Sequence, residues 1–125
     1  MSSYNTTCYE RVGDGAPVTS GQTAVTQGTS ITTGVTCSAL SGVITTVSQT
    51  IAAGAEADFT VTNTEVDATD VISISIKDHT SAGTFVASIS DVSAGSFDVR
   101  LANLHASAAG DNVLVLNFIV HKCEA

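Results

Sequence analysis

Alternation of apolar and polar residues is the clearest pattern in the chain. Between positions 56 and 62, Ala57, Phe59 and Val61 alternate with polar residues. Because successive side chains of a β-strand point to opposite faces of its sheet, this pattern predicts a strand with one buried and one solvent-exposed face. The same alternation recurs at 71–77 and 97–101. It predicts half-buried antiparallel strands there as well.

From residue 23 onwards the chain divides into short runs rich in β-branched residues, and turn-forming residues separate the runs. Residues 113–120 are apolar at almost every position, so we expect that strand to lie at the centre of a sheet or to pack on another subunit. The fold class predicted is all-β, an antiparallel β-sandwich of about eight strands, with a jelly roll as one form considered. The eight predicted strands are 23–27, 30–36, 42–47, 56–62, 70–77, 84–90, 96–102 and 112–121.

Four glycines, each shortly before a predicted strand, suit hairpin connections because glycine tolerates positive φ angles. They are Gly54, Gly83, Gly95 and Gly110. Residues 1–22 show no sustained period of either kind, which predicts an irregular N-terminal arm. The 125-residue length fits one domain, so we divide the chain into this arm and a β-sandwich domain at 23–125.

Hydroxyl groups rather than charges provide most of the polar surface, since the chain holds 18 Thr and 15 Ser but only 13% charged residues. The net charge is −8, and the four cations are too scattered for a phosphate-binding stripe, so we expect no nucleic-acid partner. No apolar window is long enough for a membrane helix, and residues 1–22 lack the basic and apolar regions of a signal peptide, so we expect them not to be one. We therefore expect synthesis in the cytoplasm. The mean hydropathy of +0.31 favours apolar surface buried between subunits.

The sequence offers few residues for catalysis. The three histidines, His79, His105 and His121, are too widely spaced for a local metal motif, and no nucleophile elbow or phosphate-binding glycine loop occurs. We predict that the protein is not an enzyme and needs no cofactor or metal. Cys8, Cys37 and Cys123 are expected to be free thiols, with a bridge between the first and the last as the alternative if the termini meet.

One acidic run stands out at 65–70, where three carboxylates fall within six residues. Carboxylate oxygens in a loop suit Ca²⁺, although the spacing is not that of an EF-hand. A solvated turn between two strands is the alternative interpretation.

Short motifs follow one another in a fixed order across residues 24–122. They are VTQGTSITTGVT at 25–36, GVITT at 42–46, AAG at 52–54, FTVTN at 59–63, ATDV at 68–71, TSAG at 80–83, AGSF at 94–97, LANL at 101–104 and VLNFIVHK at 115–122. Together they resemble a structural module of tailed-bacteriophage virions. The resemblance implies a virion structural protein that forms homotrimers. A small free-standing chain of this kind suits a capsid decoration (cement) protein on the outer shell.

The expected partners are the major capsid protein and further copies of the chain. Capsid contacts are expected from the arm, because an extended segment with tyrosines can lie across neighbouring shell subunits. The residues chosen for this role are Tyr4, Cys8, Tyr9 and Arg11. One alternative is a tail or fibre accessory that contacts the host surface through loop residues Asp78, His79 and His105. A second alternative is an extracellular adhesin-like domain.

Overall fold

The computed structural model describes residues 11–12, 16–17, 23–79, 82–110 and 113–123. These ranges contain β-strands and no helix. The strands are β1 (Arg11–Val12), β2 (Ala16–Pro17), β3 (Thr23–Thr26), β4 (Val35–Thr36), β5 (Ser41–Thr45), β6 (Glu56–Thr62), β7 (Val71–His79), β8 (Phe85–Ser93), β9 (Ser96–Asn103) and β10 (Leu114–His121).

Two four-stranded sheets enclose one hydrophobic core, which makes the domain a β-sandwich. Sheet I has the strand order β3-β5-β10-β7, and sheet II has the order β4-β6-β9-β8. The short strands β1 and β2 pair with each other in a separate ladder. Strand β10 lies between β5 and β7, which confirms the prediction of a central strand.

Both sheets are mixed, which differs from the purely antiparallel arrangement that the alternation predicts. Strand β3 runs parallel to β5, and β4 runs parallel to β6, while the other pairs are antiparallel. The chain passes from β3 in sheet I to β4 in sheet II and back to β5. A parallel pair needs such a crossover connection, and here the intervening strand of the opposite sheet supplies it. A jelly-roll topology stays a prediction.

The apolar positions of the alternating strands form the core. Phe59 and Val61 of β6 and Phe97, Val99 and Leu101 of β9 are all buried, as predicted. On the facing sheet, β10 contributes buried leucine, phenylalanine and valine side chains in the same alternation. The rings of Phe97 and Phe118 meet edge to face with their centroids 5.2 Å apart, so the two sheets are joined by an aromatic contact.

The predicted strand at 30–36 is wrong over most of its length, since only Val35–Thr36 is a strand. Residues 29–32 form a bend and a turn. The hydroxyl of Thr33 accepts a hydrogen bond from the amide of Ser30, and such local bonds compete with strand pairing. Thr29 takes a positive φ of 67°, which places it in the left-handed region.

Buried amide side chains hold the loops at the ends of the sandwich. Asn103 donates from Nδ2 to the carbonyls of Ile51 and Ala108, at 3.0 and 2.9 Å. Its Oδ1 accepts from the amides of Thr84 and His105, each at 3.1 Å. One side chain therefore fastens several separate backbone segments.

Gln27 and Asn63 act in the same way. Gln27 Nε2 donates to the carbonyls of Ile31 and Thr33, which closes the turn that replaces the predicted strand. Asn63 exchanges two hydrogen bonds with the backbone of Ala39. Both side chains are buried, so their bonds are made in surroundings where an unpaired polar group would be destabilising.

Candidate functional site

The outward side of sheet I has no charged residue at positions 71–75 of β7 or 115–121 of β10, and two of its aliphatic side chains are exposed. Val71 and Ile119 are 54% and 41% exposed there, although both are large aliphatic residues in strands. The facing pairs of the ladder place Asn117 between Val43 and Ser75, so the strands β5, β10 and β7 contribute to one continuous surface. We call this surface the neutral face. It consists of Val43, Thr45, Val71, Ser73, Ser75, Val115, Asn117, Ile119 and His121.

Polar groups of the neutral face are hydrogen-bonded to one another. Ser75 Oγ donates to Asn117 Oδ1 at 2.6 Å, and Ser73 Oγ is bonded to His121 Nε2 at 2.9 Å. A shallow depression of about 260 Å³ lies over these residues. It is lined by Ser41, Ser73, Ile74, Ser75, Asn117, Phe118 and Ile119.

The bond between Ser73 and His121 joins a hydroxyl to an imidazole, the first two members of a hydrolytic triad. Acyl transfer also needs hydrogen-bond donors placed to stabilise an oxyanion. The backbone of β10 beside Ser73 is engaged in the ladders to β5 and β7, so its amides are not directed at such a position. What this bond does in the described structure is to fasten β7 to β10.

The outward side of sheet II has the opposite character, and we call it the acidic face. Its charged residues are Glu56, Asp58, Asp91, Asp98 and Arg100. Arg100 donates to both carboxylate oxygens of Asp58 at 2.8 Å, with Glu56 3.6 Å away. The hydrogen bond from Arg100 lowers the pKa of Asp58, and its partners raise the pKa of Arg100. Four carboxylates against one guanidinium leave this face negative.

Beside the neutral face, Lys122, directly after β10, is bonded to the acidic run at 65–70. We call this group of residues the Lys122 cluster. It comprises Lys122, Asp67 and Asp70. The Lys122 ammonium donates to Asp70 Oδ2 at 2.6 Å, to Asp67 Oδ2 at 2.9 Å and to the carbonyl of Glu65 at 2.7 Å. The Asp70 side chain is fully buried and also accepts from the amides of Asp67 and Cys123.

Opposing effects act on the pKa values of this cluster. Desolvation works to raise the pKa of Asp70, but the hydrogen bonds from Lys122 and the two amides outweigh it and lower that pKa. The hydrogen bonds to Asp70 and Asp67 raise the pKa of Lys122. Both residues are therefore charged over the neutral pH range, and the pair is ionic.

The Lys122 cluster bears directly on the calcium interpretation of residues 65–70. The cation among these carboxylates is the ammonium of Lys122, which the sequence places more than fifty positions away. Across the described ranges, no group of three or more His, Cys, Asp or Glu side chains is arranged to hold a metal ion. The solvated-turn alternative also needs amendment, because Asp70 is buried.

The tail-accessory alternative assigned host contacts to Asp78, His79 and His105, and the structure describes all three. His79 is the last residue of β7, so it is not a loop residue as predicted, and its ring meets Phe85 at 5.7 Å between centroids. Asp78 also belongs to β7. His105 does lie in a loop, where its Nδ1 accepts from the amides of Ser107 and Ala108.

Of the arm residues expected to contact a capsid, the structure describes Arg11. Tyr4, Cys8 and Tyr9 lie outside the described residues. Arg11 belongs to β1, where its backbone pairs with Pro17. The two described cysteines are free thiols, Cys37 buried and Cys123 exposed, and burial raises the pKa of Cys37.

Sequence reasoning did not identify the neutral face, although a signal was present. The outward positions of β7 between 71 and 75 and of β10 between 115 and 121 carry serine, asparagine, histidine and aliphatic residues. None of these positions carries a carboxylate. In a chain with 12 acidic residues, such a gap on two paired strands marks an unusual surface. The pairing of those strands was the missing information.

No protein-family model, curated protein or solved structure matches this chain. No helix able to span a membrane occurs in the part of the chain that the structure describes. What the protein does is therefore inferred from its surfaces and from the motifs of its sequence.

Proposed function

We propose that this protein is a structural component of a tailed-bacteriophage virion, specifically a capsid decoration (cement) protein. In this role it binds the outside of the shell as a homotrimer and stabilises the head. The observation that supports the proposal is the contrast between the acidic face and the neutral face of the sandwich. One face is charged and suited to water, while the other is neutral and partly apolar, as protein-contact surfaces are.

The loops also favour a binding role over catalysis. Buried side chains of Gln27, Asn63 and Asn103 fix the connections between strands, so the sandwich presents surfaces of constant shape. Such a scaffold suits repeated docking on a symmetric shell. When several subunits are linked, each added contact raises the total affinity without any contact being strong by itself.

In this proposal the N-terminal arm makes the contacts with the major capsid protein. Tyr4, Cys8, Tyr9 and Arg11 are the residues assigned to it. In this role the arm lies across the boundary between neighbouring shell subunits. The decorated shell then resists internal pressure because each trimer bridges subunits that would otherwise separate.

Deletion of residues 2–20 tests this role of the arm. The full chain and the deletion variant are mixed with capsids of the encoding phage that were assembled without this protein, and bound protein is measured after sedimentation. We expect the full chain to bind and the variant to lose affinity about tenfold or more. The melting temperature of the variant serves as the control for folding. Unchanged affinity in a folded variant would reject the arm, and failure of the full chain to bind would reject decoration.

The second candidate is a tail or fibre accessory that contacts glycans of the host surface. The depression lined by Ser41, Ser73, Ser75 and Asn117 favours it, since hydroxyl and amide groups can hydrogen-bond a sugar. A screen of the full chain against bacterial surface glycans tests it, with Ser75→Ala as the variant that removes one hydroxyl. Binding that is lost in this variant would support the accessory role.

A further inference from the structure

Self-association of this chain is restricted by its charge. Each copy carries a net charge of −8, so copies repel one another unless they meet through a surface that lacks carboxylates. The acidic face brings Glu56, Asp91 and Asp98 towards any partner, and a second copy there would place like charges together. Such juxtaposition at an interface is unfavourable by several kcal/mol.

The neutral face has no carboxylate of its own that would repel a second copy. The charged residues next to it on β7 are Lys77 and Asp78, which are adjacent, exposed and of opposite sign. The charges of Lys77 and Asp78 cancel to a first approximation. The Lys122 cluster beside the face pairs one ammonium with the carboxylates of Asp67 and Asp70, so it leaves one net negative charge there. A copy of the same chain can approach this side of the sandwich with little electrostatic penalty.

Burial of the neutral face against protein is also favourable. Val71 and Ile119 are exposed apolar side chains that a partner would remove from water. Ser75 is already bonded to Asn117, and Ser73 to His121, so a dry contact would not leave these hydroxyls without partners.

We propose that the neutral face is the contact between copies of this chain. The number of copies rests on the proposed function: three sandwiches surround a three-fold axis, and each neutral face meets two neighbours. The acidic faces then point outwards, where water and salt screen their carboxylates.

Two matched substitutions test this assignment. Ile119 of β10 is 41% exposed on the neutral face, and Val86 of β8 is 42% exposed and pairs with Ala102 of sheet II. Ile119→Glu and Val86→Glu each add one negative charge to an exposed aliphatic position of a strand. The mass of the full chain and of each variant is measured by light scattering during gel filtration, at several concentrations. Circular dichroism and the melting temperature establish that each variant is folded.

We expect the wild type and Val86→Glu to be trimeric and Ile119→Glu to fall to one third of that mass, the 12.6 kDa of a single chain. If Ile119→Glu does not fold, Val71→Glu at the start of β7 takes its place with the same expected result. A monomeric wild type, or a Val86→Glu variant that dissociates while the neutral-face variant stays assembled, would overturn the inference. A dimeric wild type would overturn the three-fold arrangement.

The result can be separated from the fate of the proposed function. A wild type that is monomeric but binds capsids rejects the contact between copies and leaves decoration standing. A trimer that dissociates in Ile119→Glu but never binds capsids supports the contact and rejects decoration.

Discussion

Gly42 determines how closely one aromatic ring can approach sheet I. It faces Phe118 in the ladder between β5 and β10, and Phe118 in turn contacts Phe97 of the opposite sheet. A Cβ atom at position 42 would lie 2.6 Å from Cε2 of Phe118 and 2.8 Å from the sulfur of Cys37. Both distances are too short for real contacts, so glycine is required here by packing and not by its φ angle.

Gly42→Ala is therefore expected to destabilise the fold. Overpacking of a filled core lowers the free energy of unfolding by about 1–3 kcal/mol, because neighbouring side chains must leave their preferred rotamers. Gly28→Ala is the matched control, since a Cβ there meets no atom within 4 Å. Chemical denaturation of both variants checks the expectation. Equal stability of the two variants would contradict the described packing.

Lys122 and Asp70 fasten the end of the central strand through charge. The pKa of Asp70 is held below its ordinary value of 3.8, so the pair stabilises the fold above that pH and the contribution is lost as pH falls through the lowered pKa. The pKa of Lys122 is held above its ordinary value of 10.5. Its contribution is complete below that pH and is lost as pH rises through the raised pKa.

Replacement of Lys122 by methionine gives a pH-dependent loss of stability. Lys122→Met leaves the buried carboxylate of Asp70 with its amide partners alone, so the melting temperature at neutral pH is expected to fall. As the pH falls through the lowered pKa of Asp70 and this carboxylate becomes protonated in both proteins, the two melting curves are expected to converge. Lys77→Met, at an exposed position of β7, should follow the wild type throughout. A difference that persists unchanged in acid would show that the ion pair is not its cause.

At the scale of the elements, the loops are held more firmly than their composition suggests. Asn103 is fully buried at the end of β9 and bonds two carbonyls and two amides from the surrounding loops. The Ile51 carbonyl also accepts a hydrogen bond from the amide of Gly110. Asn103 therefore joins backbone groups of four different residues at this end of the sandwich.

Asn103→Ala should open that end. The substitution removes four hydrogen bonds of a buried side chain, each contributing about 0.5–1.5 kcal/mol, so a clear loss of stability is expected. Hydrogen exchange of the amides of Thr84 and His105 should accelerate more than that of β6 amides. Leu104→Ala is the control, because Leu104 is 62% exposed. Unchanged exchange at Thr84 and His105 would contradict the proposed role of Asn103.

The strands themselves were largely predictable, whereas their pairing was not. Alternation at Phe59, Val61, Phe97 and Val99 gave the buried positions of β6 and β9 directly. The turn at residues 29–32 was missed because Gln27, which closes it, lies outside the turn and forms its bonds through a side chain. The parallel pairs depend on crossovers between the sheets, which leave no local pattern in the sequence.

The neutral face could not be predicted for the same reason, because it depends on the pairing of strands. Ser73 and His121 each stand at positions that alternation assigns to an outward face. They become neighbours only through the pairing of β7 with β10, across 48 positions of sequence. Likewise, the sequence shows the acidic run at 65–70, but it does not show that Lys122 is the cation paired with it.

At the scale of the whole molecule, separation of charge between two faces is the main feature. In a chain of net charge −8, the outward side of sheet II holds four carboxylates, whereas the neutral face holds none and has the Lys122 cluster beside it. In the proposed assembly, copies meet through the face without carboxylates. The net charge of the chain makes association sensitive to salt.

Salt is expected to strengthen the contact between copies. Screening shortens the range of repulsion between the subunits, to about 10 Å at 0.1 M ionic strength, while burial of apolar side chains is not weakened. The association constant measured by sedimentation equilibrium should therefore rise between about 0.05 and about 0.5 M sodium chloride. A constant that falls with salt would indicate a contact made of ion pairs, in conflict with the neutral face.

The copy number of this chain in purified particles of its source is a direct test of the proposed capsid decoration. Quantitative mass spectrometry measures it relative to the major shell protein. Decoration of the capsid predicts hundreds of copies, near one for each shell subunit. A count of a few to a few dozen would place the protein in the tail or at a vertex, and absence from every particle would contradict a virion role altogether.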